Sequence, residues 1–249
     1  MFLSPFHISP DMSASDVVKQ HHRTADVFRK YDIAYCCTGR WPLSTVCAMQ
    51  GLEFENLKAA LEKAVHPHQL PPGLSFENWD IDFLTRYITH IHHHYAKATL
   101  PDTAMLLQEF AEGHTKKYPH MMEVSGLCNT LQKELLPHLQ HEEEIIFPYI
   151  SQIYRASRNN DSYGKLLVKP LRKPLDLLHH EKEIFLSVIA KMRLLTHQYT
   201  APEKACVNHM VVMAKLKELD TDLVQHIHLE NNILFPKAIQ IEKELLQQQ

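Results

Sequence analysis

The chain has 249 residues, 45% of them hydrophobic and 22% charged, with a formal net charge of −3. That is the make-up of an ordinary globular protein with room for one good-sized domain and a smaller one. The small charge argues against nucleic acid or an anionic membrane as partner, and no stretch approaches the ~20 consecutive apolar residues of a membrane span.

In chain order, the N-terminal MFLSPFHISPDMSASD has neither a basic head nor a long apolar core, so no secretory leader is expected. Ser13 or Ser15 caps a first helix over 16–31, with Val17, Val18, Ala25, Phe28 and Tyr31 on its apolar side. Residues 32–40 read as a turn carrying Cys36 and Cys37. A short helix follows Pro42 and stops at Gly51, and another covers 53–65. His66-Pro-His-Gln-Leu-Pro-Pro-Gly73 breaks any helix, because proline lacks the amide donor and glycine is flexible. The expected division is a small helical N-terminal domain over 1–65, a linker over 66–78 and a helical bundle over 79–249. In the bundle, amphipathic helices are expected over 79–97, 102–114, 119–150, 166–196 and 202–246. Leu100-Pro101-Asp102 is read as a break, and 154–164 and 198–202 as loops. No strand-like alternation occurs, so the fold class is all-α. An antiparallel bundle buries such stripes.

The chemistry lies in a repeat. His138-Leu-Gln-His-Glu142-Glu-Glu-Ile-Ile-Phe-Pro148 matches His226-Ile-His-Leu-Glu230-Asn-Asn-Ile-Leu-Phe-Pro236 in spacing. Residues four apart share a helix face, so each copy presents one imidazole and one carboxylate together. One copy alone is read as a wet ion pair; two with the same Phe-Pro tail place the pairs near the core. Buried carboxylates need cations, and this nitrogen–carboxylate mixture suits iron or manganese, and zinc less exclusively. The 19 histidines supply further candidates: His90, His92, His93 and His94, then His114, then His179 and His180. On one straight helix His93 and His114 lie ~31 Å apart at about 1.5 Å per residue, so both reach one site only if the chain reverses at Pro101. Glu143 and Glu144 are expected to face solvent, with a hydrogen bond to a ligand imidazole as the alternative.

These residues resemble the Repair of Iron Centers family, hemerythrin-like di-iron proteins, over roughly residues 14–240. Tyr35-Cys-Cys-Thr-Gly39 is similar to that family's Tyr-Cys-Cys-Gly-Gly signature, with threonine for one glycine, and the two His-x-x-x-Glu…Phe-Pro segments are similar to its ligand motifs. The resemblance implies a hemerythrin-like antiparallel bundle preceded by a small helical domain. It implies two iron ions bridged by carboxylates, with an oxo bridge left open, and the ligand set His93, His114, His138, Glu142, His180, His226 and Glu230. His92 and His179 stay open as alternatives to their neighbours. Glu181 stands where the family usually has aspartate.

The implied function is repair of iron–sulfur clusters damaged by nitrosative or oxidative stress, by supplying iron to iron–sulfur client proteins in the cytoplasm. Cys36 and Cys37 are candidates for a redox or iron relay, against the alternative of small buried residues. Reversible binding or sensing of oxygen or nitric oxide, and reduction of nitric oxide or peroxide, remain alternatives at the same irons. The expected assembly is a monomer or homodimer.

Overall fold

The computed structural model describes residues 7–36, 41–65, 75–159 and 172–247. Cys37 and residues 66–74 of the expected linker lie outside them. Two compact units result: Met1–Pro71 with Tyr199–Lys217, and Pro72–Gln198 with Glu218–Gln249. The first unit thus takes in a short stretch from far down the chain, where the sequence suggests a contiguous domain.

In the first unit, α1 (Ala14–Gln20), α2 (Thr24–Lys30), α3 (Leu43–Gln50) and α4 (Phe54–Val65) enclose Val17, Phe28, Leu43, Leu57 and Leu61. Ser13 is the cap: its Oγ accepts from the Asp16 amide at 3.2 Å and donates to the Asp16 carboxylate at 2.7 Å. The expected helix over 16–31 is two helices, because His21 turns extended and the Thr24 hydroxyl donates to its carbonyl at 2.7 Å. Gly51 ends α3 at φ +67°, a left-handed cap that glycine adopts without a Cβ penalty.

The second unit is built from long helical runs. The first is α5 (Ile81–Tyr87), a wide π-helical turn (Ile88–His93) and α6 (His94–Gly113). The second is α7 (His120–His141), a wide turn (Glu142–Ile146) and α8 (Phe147–Asn159). Then come α9 (Arg172–Leu195), and α10 (Val207–Leu229) with a wide turn (Glu230–Leu234) and α11 (Phe235–Gln247). α6 and α9 pack on α7, and α5 and α11 pack on α8, which makes the expected bundle. Among the described residues there is no strand beyond one isolated bridge, and no helix is long and apolar enough to cross a membrane.

Two local expectations are corrected. Pro101 does not end a helix: α6 runs through it. Interior proline costs about 3 kcal/mol, but Leu100, Leu106, Leu107 and Phe110 are fully buried on the same helix, at about 1.5–3 kcal/mol each. Burial wins. Residues 154–159, expected as loop, continue α8. Ile153 and Ala156 are buried there, and Arg155 and Arg158 reach Asp82 and Asp80 at 3.1 and 3.3 Å.

Candidate metal centre

Three wide turns build the site. In each, an amide reaches back five residues instead of four: Phe147 to the Glu142 carbonyl, Phe235 to that of Glu230, and His94 to that of Thr89. Such turns recur at functional sites. The two Phe-Pro tails explain two of them. A proline ring collides with the carbonyl four residues back in an α-helix, and for Pro148 and Pro236 those residues, Glu144 and Asn232, lie inside the widened turns. The repeated motif therefore encodes a bulge directly after each glutamate. Ile146, Phe147, Ile233, Leu234 and Phe235 then seal the site from below as part of one buried cluster.

Glu142 and Glu230 are wholly buried and each turns its two oxygens to different sides. On one side, His226 Nε2 lies 3.0 Å from Glu230 Oε1 and 4.0 Å from Glu142 Oε2. His93 Nε2 lies 3.5 Å from Glu142 Oε2 and 3.7 Å from Glu230 Oε1. The two imidazole nitrogens face each other at 3.1 Å. One donor atom from each of these four residues lies within 4.8 Å of all the others. On the other side, His138 Nε2 is 3.1 Å from Glu142 Oε1. There the Lys182 ammonium bridges the glutamates, 2.9 Å from Glu142 Oε1 and 2.8 Å from Glu230 Oε2, above the Phe235 ring at 4.3 Å.

Outer carboxylates hold two of the imidazoles. Glu143 Oε1 is 2.9 Å from His93 Nδ1 and Glu181 Oε2 is 2.5 Å from His138 Nδ1, an arrangement that fixes the tautomer and leaves Nε2 to face inward. Lys97 in turn holds Glu143 at 2.7 Å. His92 bonds Asp222 at 2.9 Å and stacks on His226 with ring centres 5.8 Å apart.

Charge balance divides the groups. Burial pulls His93 and His138 down, yet the facing carboxylates, Glu230 foremost for His93 and Glu142 for His138, outweigh it and hold both above the ordinary imidazole range. For His226 burial prevails and its value falls. Burial would raise Glu230, but His226 and Lys182 hold it well below the usual carboxylate range. Burial opposes the Lys182 charge too, and Glu230 and Glu142 more than offset it, so its value rises.

Of the seven residues in the resemblance-based set, the structure brings together His93, His138, Glu142, His226 and Glu230. It does not bring His114 or His180 to them. His114 follows the last residue of the unbroken α6, which keeps it about 31 Å from His93 along the axis. Its Nδ1 bonds the Phe110 carbonyl at 2.9 Å, and its ring stacks on Phe110. His180 is 70% exposed and faces Glu183. The inward stripe of α9 is Leu175, Leu178, Lys182, Phe185, Ile189 and Met192, which excludes positions 179 and 180 and puts a lysine in the row. That stripe was legible in the sequence as a charged residue at an apolar heptad position, and it points to Lys182. Glu143 takes the imidazole-bonding alternative rather than solvent, while Glu144 is exposed. Cys36 is half-buried in the first unit, Cys47 and Cys128 are buried, and Cys206 is half-buried.

Residues 85–238 match the hemerythrin HHE cation-binding domain, and residues 10–65 match a domain of unknown function, DUF542, also termed ScdA_N. A protein of Escherichia coli O8 (strain IAI1) named iron-sulfur cluster repair protein YtfE is 30% identical over 221 residues, covering 87% of this chain and 91% of that one. The chain belongs to the Repair of Iron Centers family. Proteins of the same name from Pectobacterium carotovorum (strain PC1) and Edwardsiella ictaluri (strain 93-146) are 29% and 27% identical, over 93% and 87% of this chain and 98% and 91% of theirs.

The hemerythrin domain of this family is a di-iron domain, and the His/Glu cluster here is suited to hold metal. The donor chemistry agrees: all four oxygens of Glu142 and Glu230, and His138 Nε2, are buried and engaged in no hydrogen bond among the described residues. Lys182 approaches two of those oxygens as ion pairs only. Buried lone pairs of this kind fit a divalent cation of the iron class.

Proposed function

We propose that this Repair of Iron Centers protein restores iron–sulfur clusters damaged by nitrosative or oxidative stress by supplying iron, as cargo, to iron–sulfur client proteins in the cytoplasm. The observation that carries the reading is the pair of buried glutamates, each offering one oxygen to either side of a cluster lined by imidazoles. The names of the relatives support it. His93, His226, Glu142 and Glu230 would hold iron on one side, and His138 with the other two carboxylate oxygens on the second.

Bound iron supplies the metal that a damaged cluster has lost. The rest falls to the chain. Glu143 and Glu181 orient His93 and His138, so that their Nε2 lone pairs need no rearrangement to bind. Glu230 is held well below the usual carboxylate range by His226 and Lys182, so it presents an ionised carboxylate to a cation. The apolar floor of Ile146, Phe147 and Phe235 excludes water and strengthens these charges. Cys36 and Cys37 are assigned the relay of electrons or iron towards the client.

The test is metal analysis of anaerobically purified protein, coupled to reactivation of an iron-depleted cluster enzyme. In Glu142→Ala, Glu230→Ala protein, iron should fall to below about a tenth of the wild-type content. His114→Ala and His180→Ala should keep it. Wild type should reactivate the client and the double variant should not. Iron retained by the double variant overturns the site. A stable oxygen or nitric oxide adduct, or turnover of nitric oxide or peroxide, without transfer of iron to the client, overturns the repair reading.

A further inference from the structure

Lys182 is the feature that the ligand motifs leave unexplained. The residue is buried on the core stripe of α9, between Leu178 and Phe185 along that stripe, with its ammonium over the ring of Phe235. A lysine at such a position carries a large desolvation cost, which only close anionic partners offset. Its partners are the two glutamates of the metal cluster, and it meets them in a particular way. It touches Glu142 Oε1 and Glu230 Oε2, the oxygens on the His138 side, while Glu142 Oε2 and Glu230 Oε1 face His93 and His226. The lysine thus bridges two carboxylates as a second cation would. The two sides are therefore unequal. Among the described residues, the His93–His226 side has four protein donors and no lysine or arginine. The His138 side has one imidazole and two oxygens, with a positive charge already on both oxygens.

We propose that Lys182 is a resident cation at the second metal position, which makes the two metals of this site unequal: one held firmly by His93, His226, Glu142 and Glu230, the other bound only by displacing the lysine. When that ion leaves, the ammonium returns to Glu142 and Glu230, and neither carboxylate is left buried without a positive neighbour. Departure of the second metal is thereby made easier, and the partly loaded protein keeps its glutamates in place. This inference rests on the cluster being the protein's metal site and gives the proposed iron supply its labile ion. A purely structural lysine would affect stability in every state without changing the ratio of the two affinities.

Cobalt(II) is the probe, titrated anaerobically into the metal-free full-length protein and followed by visible absorption and calorimetry. Wild type should bind one ion per chain tightly and a second about 100-fold or more weaker. In Lys182→Met, which keeps an unbranched side chain one atom shorter and removes its charge, the second ion should tighten by about 10- to 100-fold while the first changes by less than about threefold. Lys182→Gln should move in the same direction, and Lys182→Arg should keep the wild-type gap. Two ions of equal affinity in wild type overturn the proposal without any variant. So does a second affinity that stays the same or weakens in Lys182→Met and Lys182→Gln. If Lys182→Met loses its helical circular dichroism, the wild-type isotherm and Lys182→Gln carry the decision. None of these measurements involves a client protein, so failure of iron transfer and failure of the lysine proposal are read separately.

Discussion

The two His-x-x-x-Glu motifs are near copies in sequence and differ in their surroundings. His226 and Glu230 face His93, and burial dominates: the imidazole falls below its ordinary range. His138 faces its own Glu142 and, from α9, Glu181; these carboxylates, Glu142 foremost, lift the imidazole above its range against burial and the Lys182 charge. The same four-residue spacing thus gives opposite proton affinities. A motif specifies which groups share a helix face, and the helix packed against that face decides their charge.

Three experiments test this asymmetry, taken from the largest effect down. In the metal-free protein, Lys182→Met should cost about 3–5 kcal/mol in urea unfolding, because it leaves two buried carboxylates with one fewer counter-charge. The cost should shrink once metal is bound, and a cost below about 1 kcal/mol would erase the difference between the two sides.

Next, the outer carboxylates should act on separate positions. Glu143→Gln should weaken the tighter metal ion and Glu181→Gln the weaker one, each by about tenfold, in cobalt titrations. Equal effects of both variants on both ions would merge the two sides into one.

The smallest effect is the pH dependence of metal-free stability. His138 has a raised folded value, so its contribution is complete below the unfolded value of about 6.5 and is lost as pH rises through the folded one. The stability gap between wild type and His138→Gln should therefore narrow from about pH 6 to pH 8. His226 is lowered, so the unfolded chain takes up its proton first. His226→Gln should give a gap that moves in wild type's favour over the same interval. Parallel slopes would contradict the opposite environments.

Much of this was legible in the residues. The helix after Pro42, its stop at Gly51 and the helix beginning near Glu53 follow from local rules for caps and breakers. The repeat showed which imidazoles and carboxylates pair. The reversal at Pro101 on which His114 depends does not occur: Pro101 sits within α6 because the apolar face on either side of it is continuous. That continuity removes His114 from the cluster. The resemblance implies His180, but the stripe Leu175, Leu178, Phe185 and Ile189 sets the inward face of α9 and leaves His180 exposed.

The sequence by itself determined the all-α class and the two motifs, because each depends on neighbours within about two helical turns. Only the tertiary structure decided that His93 joins them, that Glu143 and Glu181 hold the imidazoles, and that Lys182 occupies the far side of the glutamates. Those contacts join residues 40 to 140 positions apart, and their charges depend on desolvation, which no local pattern records.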